Sequence, residues 1–234
     1  ISAIKWTGLE GDDGSERAYK FGYDHVNRLK TAEYKYMSSS WTTTNAMKVS
    51  NIDYDANGNI KSLARNNGSG SGLDVLTYDY GSDDAQSNQL LSVTDSGDTS
   101  KGFIDGNTTG DDYEYDKNGN LIVDLNKNIT SITYNYLNLP DSIAFSNGKW
   151  IKYIYDASGL KLSKIVYDGS TQKQTDYVGN LIYEEDSLEI LLTQEGRVSV
   201  KRDTLGTIDD YVYQYFVKDH LGNTRITYTT SPDS

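Results

Sequence analysis

The sequence contains no cysteine, which removes disulfide staples, thiolate-bound zinc and a cysteine nucleophile from consideration. Histidine is nearly absent, at 2 residues, so any imidazole chemistry rests on His25 or His220. No apolar run approaches the roughly 18 consecutive residues of a membrane helix, and no membrane span is expected. Positive charge is in deficit: 22 Lys+Arg against 34 Asp+Glu give a net charge of −12. That balance opposes a nucleic-acid partner, which calls for clustered Lys and Arg. Helical patterning is missing too, because no stretch repeats apolar residues at i, i+3, i+4 and i+7 over three turns. The opening Ile1-Ser2-Ala3-Ile4-Lys5-Trp6 has no initiator Met, basic n-region or apolar h-region. The chain therefore reads as an interior piece of something longer, and the closing Ser231-Pro232-Asp233-Ser234 as a polar loop.

What is abundant is tyrosine (20), glycine (21) and asparagine (18). Tyr, Thr, Val and Ile suit a pleated, half-buried surface, while Asn and Gly punctuate the chain as turns require. Ile132, Tyr134 and Tyr136 alternate with Thr133 and Asn135. Tyr211, Tyr213, Tyr215 and Val217 share a face opposite Val212, Gln214, Phe216 and Lys218. With apolar bulk on both sides, that strand is expected to be covered on both. The expectation is an all-β chain with strands of about four to nine residues, long enough at 234 residues to bury a core.

A Tyr-Asp motif recurs with turn residues behind it. It appears at Tyr23-Asp24-His25-Val26-Asn27-Arg28-Leu29, Tyr54-Asp55-Ala56-Asn57-Gly58-Asn59-Ile60 and Tyr115-Asp116-Lys117-Asn118-Gly119-Asn120-Leu121. Tyr155-Asp156-Ala157-Ser158-Gly159-Leu160 is a fourth copy, with Leu where Asn is expected. Degenerate copies fall at Tyr177-Val178-Gly179-Asn180-Leu181 and Lys218-Asp219-His220-Leu221-Gly222-Asn223-Thr224, and a partial one starts at Tyr78-Asp79. The tyrosines are spaced by 31, 61, 40 and 22 residues, which fits a unit of about twenty residues with insertions. The Tyr ends one strand and lays its ring on the sheet. The Asp bonds backbone N–H groups at the mouth of the turn, and Asn-Gly-Asn tolerates the positive φ a tight reversal needs. The Leu or Ile that follows starts the return strand and points to the core. Each unit is a β-hairpin, and successive hairpins make a quasi-one-dimensional sheet across residues 1–234. Gly68-Ser69-Gly70-Ser71-Gly72 and Asp105-Gly106-Asn107-Thr108-Thr109-Gly110 read as surface loops within that sheet, with no second domain.

On these motifs the sequence resembles the YD (Rhs) repeats of bacterial polymorphic toxins and the related Tc-toxin C components. Tyr215-Phe216-Val217-Lys218-Asp219-His220-Leu221-Gly222-Asn223-Thr224-Arg225 resembles the opening of the Rhs repeat-associated core, placed at about 211–230. Leu137-Asn138-Leu139-Pro140 and Asp176-Tyr177-Val178-Gly179-Asn180-Leu181-Ile182-Tyr183-Glu184 are similar to Rhs proteins of Bacteroidetes. The resemblance runs over roughly residues 1–230. It implies a spiral sheet of hairpins forming a hollow shell, often around a C-terminal toxin released by aspartate-dependent self-cleavage. The Pro-x-Gly region of that cleavage is not in this sequence, so self-cleavage and toxicity are not carried over.

Other chemistry is thinly supported. Asp53-Tyr54-Asp55-Ala56-Asn57-Gly58 starts like a calcium loop, but its twelfth position is Ala64 where a bidentate Glu is needed. Glu114-Tyr115-Asp116-Lys117-Asn118-Gly119 leads to Leu125 in the same way. Acidic runs at Gly11-Asp12-Asp13-Gly14, Asp83-Asp84 and Asp111-Asp112 read as solvated loop tips. Gly68-Ser69-Gly70-Ser71-Gly72 has the letters of a nucleophile elbow without the strand-to-helix context. No cofactor motif is present. The rings of Trp6, Trp41, Trp150 and the tyrosines are either a packing ladder with hydroxyls in water or a sugar-stacking surface.

The expectation is a non-enzymatic structural segment of an Rhs/YD-repeat shell, bacterial and secreted or at the cell surface, without cofactor or metal. Its partners are adjoining segments of the same polypeptide and an enclosed toxin domain, and open sheet edges invite self-association. The alternative is a carbohydrate- or protein-binding repeat module, and a hydrolase stands third.

Overall fold

A computed structural model of the chain describes residues 1–7, 14–81 and 88–229. Asp12, Asp13, Asp83, Asp84 and the closing Ser231-Pro232-Asp233-Ser234 lie outside the described residues. The chain forms two compact units, Ile1–Asn128 and Ile129–Ser234.

In the first unit, β1 (Ala3–Thr7), β2 (Glu16–Tyr23), β3 (Leu29–Met37), β5 (Val49–Tyr54), β6 (Ile60–Asn66), β7 (Gly72–Asp79) and β8 (Ser92–Asp95) lie side by side in that order. The short β4 (Trp41–Thr43) pairs with the far end of β3. β9 (Tyr113–Tyr115) and β10 (Leu121–Asp124) pair as a hairpin, followed by a 3-10 turn at Leu125–Lys127. In the second unit, β11 (Ile129–Tyr134), β12 (Pro140–Phe145), β13 (Trp150–Tyr155), β14 (Lys161–Tyr167), β15 (Gln172–Val178), β16 (Leu181–Glu184), β17 (Ser187–Leu192), β18 (Gly196–Arg202), β19 (Ile208–Lys218) and β20 (Thr224–Thr229) pair strictly in sequence. Each pairing is antiparallel, so the all-β hairpin class read from the sequence is the class observed. Strand lengths spread wider than expected, from 3 residues in β4 to 11 in β19.

The strand pairs in closest contact are the hydrogen-bonded neighbours. The expected core is correspondingly thin. Ala32, Ile52, Leu76, Val93, Ile129, Ile132 and Val198 are the buried apolar residues among those described. The expectation that β19 is covered on both faces fails, since Tyr211, Tyr213 and Val217 are all exposed. Alternation along 132–136 also stops short: β11 ends at Tyr134, and Tyr136 stands in the following turn, 78% exposed. Period-2 patterning reports which side a residue faces, not whether anything packs on that side.

The most deeply buried large side chains of the first unit are carboxylates. Asp74, Asp112 and Asp124 are 0%, 1% and 1% exposed. Asp74 accepts from Arg65 Nε and from the Phe103 N–H (2.7 Å). Asp112 accepts from the Val93 N–H (2.7 Å) and the Asn107 amide (3.0 Å). Asp124 accepts from the Lys127 N–H (3.1 Å) and ammonium (2.8 Å). The connection from Ser96 to Asp112 is thus strapped to the sheet by side chains, and Asp112 is not the solvated loop tip expected of it.

Candidate functional site: clamped turns and tyrosine latches

The Tyr-Asp copies fold into one local structure. At Asp24, Asp55, Asp116, Asp156 and Asp219 the Asp N–H donates to the carbonyl four residues on, at 2.9–3.0 Å. The N–H three residues on donates back to the Asp carbonyl at 3.0–3.2 Å. The residue in that fourth position takes positive φ: 65° at Asn27, 93° at Gly58, 83° at Gly119, 90° at Gly159 and 84° at Gly222. Glycine and asparagine occupy the slot because a Cβ in the left-handed region meets its own backbone.

One carboxylate oxygen closes the loop. Asp116 Oδ1 accepts from the N–H groups of Asn118 and Asn120, both at 2.8 Å. Asp24, Asp156 and Asp219 do the same for Val26 and Arg28, Ser158 and Leu160, and Leu221 and Asn223. The other oxygen takes the side chain at the fifth position: the amides of Asn59 (2.8 Å), Asn120 (2.9 Å) and Asn223 (3.1 Å). At Asp24, Arg28 Nε replaces the amide at 2.7 Å, and at Asp219 Arg225 joins it at 2.8 Å. The terminal Asn of the motif is therefore half of a clamp, and Leu160, at that position in the fourth copy, leaves the second oxygen without it.

These bonds hold the carboxylates below their ordinary value. The leading cause is the Asn120 amide for Asp116, the Ser158 hydroxyl for Asp156 and the Asn223 amide for Asp219. At Asp24 and Asp55 the loss of surrounding water pushes upward, and the hydrogen bonds from Arg28 and from Asn59 outweigh it. Asp168, in the β14–β15 turn, is lowered by the N–H groups of Thr171 and Ser170.

Where a tyrosine precedes the Asp, at Asp24, Asp55, Asp116 and Asp156, it latches its hairpin to backbone earlier in the chain. Tyr54 Oη donates to the Leu29 carbonyl (2.7 Å), Tyr115 to Leu90 (2.9 Å) and Tyr155 to Pro140 (3.1 Å). Tyr23 donates to the Ile1 carbonyl. Leu29 and Pro140 are the first residues of the return strands β3 and β12, so the latch joins one turn to the foot of a preceding hairpin. The packing-ladder reading placed these hydroxyls in water, and for the latch tyrosines that is corrected. Burial holds the phenols of Tyr115 and Tyr155 above their ordinary value, which keeps both as donors at neutral pH. Arg28 ties two turns directly, with Nη1 on the Asp55 carbonyl (3.2 Å) and its guanidinium 4.5 Å from the Tyr54 ring centre.

Three further turns of this kind escaped the Tyr-Asp pattern. Asn67, Asn135 and Asp203 make the same pair of backbone bonds and the same side-chain bonds to the second and fourth N–H onward. Gly70, Asn138 and Gly206 hold their positive-φ slots. The signal that finds them is Asp or Asn followed three residues later by Gly or Asn, without a preceding Tyr-Asp pair. The Gly68–Gly72 loop is thereby a hairpin turn between β6 and β7, not an insertion. The degenerate copy at Tyr177 differs: Val178 pairs directly with Leu181 across a two-residue Gly179-Asn180 turn with no clamp. There the Asn180 amide reaches the Leu192 carbonyl (3.1 Å) on β17.

His25 and His220 sit second in their turns, exposed. In the calcium-like run, Asp53 pairs with Lys30 (3.1 Å) while Asp55 serves its own turn. Among the described residues no three His, Cys, Asp or Glu side chains gather as a metal site. In this arrangement the turn carboxylates are engaged by N–H groups and side chains of their own turns.

No family profile matches the sequence. No curated protein matches it either. The chain is similar to solved structures at low identity. The crystal structure of TcdB2-TccC3-TEV aligns with 92% of this chain and 14% of that one, at 12% identity and a TM-score of 0.38. The crystal structure of TcdB2-TccC3 aligns with 98% and 19%, at 11% identity and 0.35. The Photorhabdus luminescens Tc holotoxin pore with a TccC3 mutation aligns with 96% and 17%, at 10% identity and 0.34. This chain spans less than a fifth of the length of each.

Proposed function

We propose that the chain is a non-enzymatic stretch of wall in a YD-repeat shell, one continuous run of hairpins from residue 1 to 234 with the Rhs-associated core opening at about 211–230. The observation that carries this reading is the latch. A side chain that bonds the foot of a preceding hairpin is a device for adding hairpins in series, and it has no use in substrate chemistry. Asp24, Asp55, Asp116, Asp156 and Asp219 shape the turns, Tyr23, Tyr54, Tyr115 and Tyr155 join them, and Gly179 with Asn180 makes a shorter join of its own. The outer strands β1 and β20 are solvent-exposed along their length, which suits edges that further hairpins of the same polypeptide, or a second copy, complete. The wall stands in a bacterial protein that is secreted or displayed at the cell surface, and the enclosed partner is a toxin domain.

The test is to read the source reading frame on both sides of the segment and to express the entire protein. Further Tyr-Asp turns on each flank, with a downstream domain that resists protease until the shell is unfolded, are the expected result. Flanks without such turns, or a downstream domain cut as fast as free polypeptide, overturn the reading.

A further inference from the structure

Four Asn-Gly pairs occur in the chain, at Asn57-Gly58, Asn67-Gly68, Asn118-Gly119 and Asn147-Gly148. An asparagine before glycine is open to attack by the next backbone nitrogen, because no Cβ on the following residue shields that nitrogen. The fold treats the four pairs differently. Gly58, Gly119 and Gly148 each take positive φ, and their N–H groups donate to the carbonyls of Asp55 (3.2 Å), Asp116 (3.0 Å) and Phe145 (3.1 Å). A nitrogen held that way keeps its proton and its orientation. Gly68 is exposed, and its N–H has no acceptor among the described residues.

Asn67 is also the head of a clamped turn. Its Oδ1 accepts from the N–H groups of Ser69 (2.9 Å) and Ser71 (3.1 Å) and from the Ser69 hydroxyl (2.6 Å). Reaching the N–H two residues on folds the carboxamide over the intervening Gly68 nitrogen. The donors converge on the one oxygen that becomes negative when that nitrogen adds to Cγ, which is the logic of an oxyanion hole. The Asn67 Nδ2 has no partner among the described residues, so the leaving group faces water. Two other turns each lack one requirement. Asn135 heads the same clamp, bonded to the N–H groups of Leu137 (2.9 Å) and Leu139 (3.1 Å), but the next residue is Tyr136, whose side chain crowds the nitrogen. Asp168 gathers the Ser170 and Thr171 N–H groups and the Ser170 hydroxyl, all at 2.9 Å, ahead of Gly169. Those bonds lower its carboxyl and keep it ionised, and a carboxylate offers no leaving group.

We propose that Asn67-Gly68 is a self-modification site, where the turn converts its own asparagine to an acid through a cyclic imide. Hydroxide takes the Gly68 amide proton, and the nitrogen forms a bond to Asn67 Cγ. The negative charge falls on Oδ1, under the Ser69 and Ser71 donors. Collapse breaks the Cγ–Nδ2 bond, and Nδ2 takes a proton from water and leaves as ammonia. Water then opens the imide, so that the sum is amide plus water giving acid plus ammonia. Opening at Cγ leaves aspartate at position 67, the residue that heads the turns at Asp24, Asp55, Asp116, Asp156, Asp203 and Asp219. Opening at the backbone carbonyl routes the chain through the side chain as an isoaspartyl linkage. That product takes the Asn67 carbonyl out of the main chain, where it accepts from the N–H groups of Met47 (2.9 Å) and Gly70 (3.0 Å), and loosens the turn. The inference rests on one turn and stands apart from the wall reading.

The experiment incubates the folded chain in mildly alkaline buffer and follows each site by peptide mass spectrometry that separates Asn, Asp and isoaspartyl forms. Asn67 is expected to convert at least about tenfold faster than Asn57, Asn118 and Asn147, with Asn135 intact. In urea the four Asn-Gly rates should converge, because the unfolded chain has no clamp. Ser69→Ala should slow conversion at Asn67 about fivefold in the folded chain, the worth of one net hydrogen bond, and leave the rate in urea unchanged. Gly68→Ala places a Cβ 3.7 Å from Met47 Cε, an ordinary contact, so the fold is kept, and conversion at Asn67 should fall to the level of Asn135. Asn67 converting no faster than Asn147 in the folded chain, or keeping the same lead in urea, overturns the proposal. So does a folded Ser69→Ala chain that converts at the wild-type rate.

Discussion

A carboxylate that bonds two N–H groups and an amide makes the turns acid-sensitive. Asp24, Asp55, Asp116, Asp156, Asp168 and Asp219 all sit below the ordinary 3.8 in the fold. The unfolded chain therefore takes up protons first as pH falls. The stabilisation they supply is complete above about pH 5, declines through the unfolded value and is lost below the folded ones. The thermal midpoint followed by circular dichroism should fall between pH 5 and 3. Asp116→Asn, which keeps an oxygen acceptor as Asn135 does, should flatten that fall. The positive-φ slot gives a second test. A Cβ at Gly119 has open space, its nearest neighbour being Gln89 Nε2 at 3.9 Å, so the cost of Gly119→Ala is conformational. It should be about 1–2 kcal/mol in urea unfolding, with Gly119→Asn closer to wild type, because Asn27 and Asn138 already fill the slot. Tyr54→Phe removes only the bond to the Leu29 carbonyl and should cost about 0.5–1.5 kcal/mol in the same assay. The Asp and Gly roles at these turns were legible because they follow from local backbone geometry. The destination of the Tyr54 hydroxyl was not, since its acceptor lies 25 residues away and no local rule names it.

Among elements, the hairpins were readable and the strap was not. Turn residues bounded by alternating stretches announce β5–β6 or β13–β14 directly. The connection from Ser96 to Asp112 carries no periodicity, and its acidic letters read as solvent-facing. Its order comes from Asp74 and Asp112, whose burial depends on donors at Phe103, Val93 and Asn107 that meet them only in three dimensions. Removing one such carboxylate strands buried donors, at a cost of about 1–3 kcal/mol for each left unpaired. Asp112→Ala should make the 96–112 segment the first site of limited proteolysis, seen as a new early fragment by mass spectrometry. Asp111→Ala, at an exposed neighbour, should leave the cleavage order unchanged. The tyrosine face of β19 was misjudged for the reverse reason: apolar bulk on a face can mean a covering or an open surface, and composition does not distinguish them.

At the scale of the whole chain, neighbour terms dominate stability within each unit, because the strand pairs in closest contact are the hydrogen-bonded ones. Such a chain departs from all-or-none unfolding. The tryptophans allow the departure to be seen: Trp6 and Trp41 belong to the first unit and Trp150 to the second. Fluorescence of single-tryptophan variants keeping Trp41 or Trp150 should give urea midpoints that differ, and coincident curves in both would contradict neighbour-only coupling. The latches add a direction to this picture. Tyr23, Tyr54, Tyr115 and Tyr155 each donate to a carbonyl that precedes them in the sequence, by 22, 25, 25 and 15 residues. Every acceptor has therefore left the ribosome, or the exit of a secretion channel, before its donor arrives. Vectorial emergence from the N-terminus meets a docking surface already in place at each step, whereas threading from the opposite end presents each phenol before its carbonyl exists in folded form. The order belongs to the latch tyrosines alone, since Tyr19 and Tyr136 donate to carbonyls that follow them, Met47 and Ala157.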